Sequence, residues 1–303
     1  MQTLTAAMAA WSAGKTIWVK SGDYAYSEAI KLSQRATADA PLRISGVEPG
    51  EMPVFDFSGE PRSSGNGGQR GLELSGAFTH LRYLELKSAA DNCVYVTGTD
   101  NTLEWLRVHE CQDTGVQLSN GAANNKVLNV DSYLNADPSG ENADGFAPKL
   151  SIGSGNYFCG TRAYHNADDG YDCWASGNDS PVKFEYCWAF GQPGPTATRN
   201  GDGNGFKLGS PASRASGGNA PHELTDCYAF HNAAAGYTSN GNSSGQITCK
   251  NCGVWGNGAA WSSGSGGREP QHSGDITNLD VTVDQAINAP RDDYGDLPDI
   301  SML

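Results

Sequence analysis

Along this chain a large, mostly apolar residue recurs directly after a small one. Leu72, Val94, Val116, Phe146, Tyr171, Phe206 and Tyr237 follow Gly71, Cys93, Gly115, Gly145, Gly170, Gly205 and Gly236, at spacings of 22, 22, 30, 25, 35 and 31 residues. Periods in this range mark a solenoid, and unequal periods mark turns that carry insertions. Because side chains alternate along a strand, the recurrent large residue points inward and the next one outward. A second apolar run predicts one further strand per repeat, over 81–86, 103–108, 182–190, 224–230 and 247–255. Asn135, Asn166, Asn232 and Asn257 each stand two places after an aromatic residue, which predicts an asparagine ladder at one turn. Short strands, frequent glycine and stacked like residues fit an all-β parallel β-helix better than a sandwich.

An open solenoid end exposes unpaired backbone, so it requires a cover. Residues 4–13, with Leu4, Met8 and Trp11 on one helical face, predict a short cap within 1–15, and 16–19 reads as the first strand. The 303 residues are expected to form a single solenoid domain, with 280–303 as a C-terminal extension packing on it. The start has neither the basic residues nor the long apolar run of a signal peptide, and no stretch is apolar enough to span a membrane. Loop-like insertions at 191–204 and 210–221 flank Lys207, and long loops inside compact folds are more often functional than accidental.

The net charge of −14 argues against nucleic acid as a partner. For an anionic polysaccharide it requires local positive charge or a bound divalent cation. Of the eight cysteines, Cys187, Cys227 and Cys252 share one alignment column, and Cys249 falls in the column of Phe158, Phe184 and Leu224. They are therefore expected to be inward-facing thiols, and the Cys249/Cys252 spacing lacks the second pair that a zinc site needs.

The chemistry concentrates between Asn142 and Gly209. Aligned on their glycines, Asp144, Asp169 and Asn204 precede the column, and Ala147, Asp172 and Lys207 stand two places after it. Asp144, Asp168, Asp169 and Asp172 thus bring four carboxylates together from adjacent repeats, with strands about 4.8 Å apart. Without a cation such a cluster costs several kcal/mol, so hard oxygen ligands here point to calcium. Lys207 stands beside the cluster, where a neighbouring cation would favour its neutral form and make it a base, or where it would pair with Asp172 as a surface lysine. His165 and His231 share a turn column away from the acids and are read as structural.

The segments 142–149, 164–174 and 203–209 and the closing 289–300 resemble polysaccharide lyase family 9, the pectate lyases, from about Thr16 to the end of the chain. The resemblance implies a right-handed parallel β-helix, calcium held by Asp144, Asp168, Asp169 and Asp172, and Lys207 as the base in β-elimination of polygalacturonate or a related uronate polymer. It implies a secreted enzyme, expected to be a monomer. Lys149, Arg199 and Arg214 are the cations expected to meet the substrate's carboxylates. The competing readings are a polygalacturonase-type hydrolase, a uronate C5-epimerase and a non-catalytic carbohydrate-binding β-helix.

Overall fold

The computed structural model describes residues 3–62, 67–197, 201–213, 217–277, 279–293 and 295–303. Its strands run parallel, pairing each rung with the next. One sheet of nine strands carries the recurrent large residues. Ile30, Leu72, Val94, Val116, Phe146, Tyr171, Phe206, Tyr237 and Trp261 are paired in unbroken register. The alignment made on the glycine column is therefore the hydrogen-bonding register.

Inward, these residues stack on one another. The rings of Phe146, Tyr171, Phe206, Tyr237 and Trp261 follow at centroid distances of 5.1, 4.4, 5.1 and 4.5 Å. Aromatic pairs at these separations add to the large area that each ring buries. The small residue before each ring is required by a close approach. A Cβ at Gly170 would lie 2.6 Å from the carbonyl oxygen of Gly205, and one at Gly205 would lie 2.6 Å from that of Gly236.

The predicted second strand is in most rungs two strands. Only Thr79–Lys87 and Thr102–His109 run through. Elsewhere the run breaks, as in Lys183–Glu185 and Trp188–Phe190, or Glu223–Thr225 and Tyr228–Phe230. The break falls at left-handed residues, Asn129, Tyr186, Asp226 and Asn251, and the two continuous strands carry left-handed Tyr83 and Trp105 on the same line. Such a residue turns the chain without ending the apolar pattern, which is why the pattern reads as continuous. The larger sheet is creased along this line, and the cross-section has three faces.

The asparagine ladder is present, with a glutamine in its gap. Asn135 Nδ2 donates to Asn166 Oδ1 (2.8 Å), the Asn166 amide to Gln192 Oε1 (2.6 Å), the Gln192 amide to Asn232 Oδ1 (3.2 Å), and Asn232 Nδ2 to Asn257 Oδ1 (2.9 Å). A second ladder joins Asn101, Asn125 and Asn156 at another corner. Cys249 and Cys252 both face inward, but they form a disulfide rather than remaining thiols. Left-handed Asn251 between them turns their side chains toward each other, with Cα atoms 5.9 Å apart. Cys93 and Cys111 form a second bridge, while Cys159, Cys173, Cys187 and Cys227 are free.

The helix Leu4–Ala9, capped by Thr3, closes the N-terminal end, burying Leu4 and packing Met8 and Trp11 on the core. The chain after Leu279 lies across an external aromatic stack of Tyr164, Phe190, Phe230 and Trp255, burying Val281, Ala286, Ala289 and Ile300 against it. Asp131 ties this segment down, accepting from Arg162 Nε (2.8 Å) and from an Arg291 guanidinium nitrogen (2.6 Å).

Candidate functional site

The site lies on the outer side of the nine-stranded sheet, where two-residue strands set each polar side chain by alternation. Tyr171 and Phe206 are fully buried inward, so Asp172 and Lys207, paired in register, must project outward. Asp144 comes from the segment that enters Phe146–Pro148, and Asp168 and Asp169 from the turn that enters Tyr171–Asp172. Carboxylate oxygens of these three lie within 4.8 Å of one another. Asp172 joins the group through Lys149, whose Nζ is 2.7 Å from Asp144 Oδ2 and 3.2 Å from Asp172 Oδ2. Lys207 Nζ is 3.0 Å from Asp169 Oδ2 and 2.9 Å from Asp202 Oδ2.

Backbone and amide donors hold the acids in place. Asp169 Oδ1 accepts from the Asn204 amide (2.7 Å) and from Asn204 Nδ2 (2.9 Å), while Asp168 Oδ1 accepts from the Asp202 amide (2.6 Å). Thr114 Oγ1 donates to Asp144 Oδ2 (3.1 Å), and Asp172 Oδ1 accepts from the Trp174 amide (2.9 Å). The other oxygen of Asp169 is buried and receives no well-directed hydrogen bond, although Lys207 stands within ion-pair distance. A buried carboxylate oxygen without a directed donor, among two other carboxylates, suits a hard cation.

Burial dominates the electrostatics. It pushes the Asp144 carboxyl up to about 8 against the pull of Lys149, and Asp172 and Asp169 push the same way. Burial, Asp169 and Asp144 push Asp168 up to about 10. For Asp172 burial is outweighed by Lys207 and Lys149, which together hold it below the usual carboxylate range. Lys207 would be lowered by burial, but Asp169, Asp172, Asp168 and Asp202 hold its ammonium well above the ordinary lysine value. Among these acids Lys207 is therefore a protonated partner.

A cleft of about 610 Å³ opens over the cluster, lined among others by Glu141, Leu150, Trp174, Pro211 and Asn240. Lys149 borders it but is buried and directed at Asp144 and Asp172 rather than at the open space. Arg199 and Arg214 lie outside the described residues. His165 and His231 are both left-handed corner residues, and His231 Nε2 bonds the Val281 carbonyl. Sequence reasoning missed Asp202, Asn204 and Thr114 as partners of the charged groups. Asn204 and Thr114 occupy the same alignment column as Asp144 and Asp169, and that shared column was the available signal.

Residues 1–272 match the model of the family described as Pel9A-like, right handed beta helix region. Pectate lyase L of Paenibacillus polymyxa is 41% identical over 224 residues, covering 68% of this chain and 49% of its own length. Pectate lyase L of Dickeya chrysanthemi is 37% identical over 220 residues, covering 68% and 50% respectively. The chain thus spans about half the length of these two relatives. The solved structure of pectate lyase Pel9A superposes with a TM-score of 0.81 at 28% identity, over 98% of this chain and 82% of that one. A rhamnogalacturonan lyase superposes at 0.75 with 22% identity, over 98% and 90%, a likeness of fold alone. No helix among the described residues is long and apolar enough to cross a membrane.

Proposed function

Since the chain belongs to the Pel9A-like right-handed β-helix family, we propose that it cleaves polygalacturonate, or a closely related uronate polymer, by calcium-dependent β-elimination with Lys207 as the base. The observation that carries this is the placing of Lys207 Nζ 3.0 Å from Asp169 at the edge of a three-carboxylate cluster, on the floor of an open cleft. Asp144, Asp168 and Asp169 would hold the ion, with Asp172 beside them. Bound there, calcium would bind the uronate carboxylate and make the C5 proton more acidic.

This chain's own residues then account for the rest. Lys149 keeps Asp144 and Asp172 in position, and the Asn204 amide groups orient Asp169. Carboxylates whose charge is neutralised no longer hold the proton on Lys207, so the amine becomes available to accept one. Its Nζ takes the proton from C5, the electron pair forms the C4–C5 double bond, and the glycosidic oxygen departs from C4. The product is a 4,5-unsaturated uronide. On this reading the enzyme would be secreted, since a uronate polymer is a substrate met outside the cell.

A hydrolase on the same fold draws support from one feature, since Asp168 raised to about 10 would be a protonated carboxylic acid at neutral pH. The two readings separate by product and by metal. With polygalacturonate as substrate, a lyase gives ultraviolet-absorbing unsaturated ends, loses activity in excess chelator and recovers it with calcium better than with magnesium. Reducing ends without ultraviolet absorbance, formed equally well in chelator, would establish hydrolysis and overturn the lyase reading. Conversion of the sugar without chain cleavage would mark an epimerase, and binding without any product a carbohydrate-binding module.

A further inference from the structure

The outward column that holds Asp172 and Lys207 continues toward the N-terminus through Ala147, Gln117, Tyr95 and Glu73 to Lys31. On this face of an acidic chain, cations stand out, and three of them already have acid partners. Lys149 and Lys207 pair within the carboxylate cluster, and Lys31 pairs with Glu73 at 3.9 Å. Arg70 differs. Among the described residues no carboxylate lies within ion-pair distance of its guanidinium, which instead lies 3.5 Å above the centroid of the Tyr95 ring.

The arrangement is built rather than loose. Arg70 directly precedes Gly71 in the alignment column that three rungs later holds Asp144, so its backbone is set by the same close-packed stack. Its Nε donates to Asn92 Oδ1 (3.3 Å), and Asn92 Nδ2 in turn donates to Gln117 Oε1 (3.0 Å). The Tyr95 hydroxyl accepts from Asn120 Nδ2 (2.7 Å), which fixes the ring beneath the guanidinium. The nearby acid Asp91 is occupied with the Gly68 and Asn92 amides. A guanidinium fixed on an aromatic face, with the nitrogens other than Nε free of these bonds, suits bidentate recognition of a carboxylate.

Resting on the uronate-polymer reading above, we propose that Arg70, seated on Tyr95, is a distal subsite that binds the carboxylate of a uronate unit remote from the cleaved bond. Arg70 enters the strand five rungs before Lys207 and Tyr95 lies four rungs before it, roughly 19–24 Å at about 4.8 Å per rung. A pyranose unit is about as long as a rung is high, so the contact falls four to five sugars from the reacting one. Short oligomers spanning Lys207 do not reach it, whereas longer chains do.

The test compares octagalacturonate with tetragalacturonate, in calcium, on the wild type, Arg70→Ala and Arg70→Lys. The expected result is that Arg70→Ala raises KM for the octamer roughly tenfold with kcat retained, as loss of a charged hydrogen-bonding contact does, and leaves the tetramer unchanged. Arg70→Lys, which keeps the charge but not the fork, recovers part of the octamer affinity. Equal effects on the two lengths, or an unchanged octamer, would overturn the subsite. If no variant forms unsaturated product, the lyase reading fails separately, and calorimetric binding of octagalacturonate to wild type and Arg70→Ala still decides the subsite. A tenfold weaker Kd supports it and an equal Kd rejects it.

Discussion

Lys207 is held by charge more than by packing, and that determines what its replacement does. It projects outward from its strand, yet only 8% of it is exposed, and it makes ion pairs with both Asp169 and Asp202. In chelator, Lys207→Ala leaves Asp169 buried without its cation, and removing one partner of such a pair costs about 3 kcal/mol or more. Differential scanning calorimetry should show a lowered Tm in chelator that calcium largely restores. Turnover on polygalacturonate should fall roughly 10²- to 10⁴-fold with calcium present, the contribution of a positioned base. Lys207→Arg keeps the ion pairs and the Tm but not the activity, since guanidinium retains its proton. Near wild-type turnover in Lys207→Arg would remove Lys207 from the role of base, whatever holds for the metal.

Among the elements, the C-terminal segment depends most on a single buried group. Arg162 donates to Asp131 and also to the carbonyls of Ala286 and Ala289, while Arg291 donates to Asp131 and to the carbonyls of Gly160 and Gly295. Burial alone would raise the Asp131 carboxyl, but Arg291 and Arg162 hold it far below the usual range. A depressed folded pKa gives stability that is present above the unfolded value of about 3.9 and is lost as pH falls below it. Asp131→Asn is therefore expected to lose roughly 3–5 kcal/mol at neutral pH, with two guanidinium groups left uncompensated. Urea unfolding at pH 7 and pH 3 should show that difference shrinking in acid. A difference that stays constant with pH would mean that packing of Val281, Ala286 and Ile300, not charge, docks the segment.

For the molecule as a whole, a net charge of −14 and a buried carboxylate cluster make metal binding a proton-linked event. Asp144 raised to about 8 and Asp168 to about 10 carry protons at pH 7 in the cation-free protein, and calcium must displace them. Raised folded values mean that ionising these acids costs stability progressively as pH climbs from about 4 toward 8 and 10. Calcium affinity should accordingly strengthen with pH and level off near 10, and the Tm gain from calcium should grow over the same interval. Titration calorimetry at pH 7 in two buffers of different ionisation enthalpy should give different apparent heats. Identical heats would show that the acids are already ionised before the metal arrives.

By itself the sequence determined the register of the sheet that carries the site. A large inward residue at each rung follows a small one, and at Gly145, Gly170 and Gly205 a Cβ would crowd the next rung's carbonyl, so the period is written into residue type. Fixing that register also fixed Asp172 beside Lys207 on the outer face, since alternation leaves no other choice. Pairing across corners was decided only by the tertiary structure. Left-handed Tyr186, Asp226 and Asn251 bend a run that looks continuous, and Asn251 brings Cys249 to Cys252, which alignment had placed in two separate stacks. The same holds for Lys149. Its residue type suggested a cation for substrate, but the fold aims it at Asp144 and Asp172, because a long flexible side chain takes its direction from the charges around it. Local sterics and strand alternation are readable from residue order, whereas the direction of a long side chain depends on which acids the neighbouring rungs bring within reach.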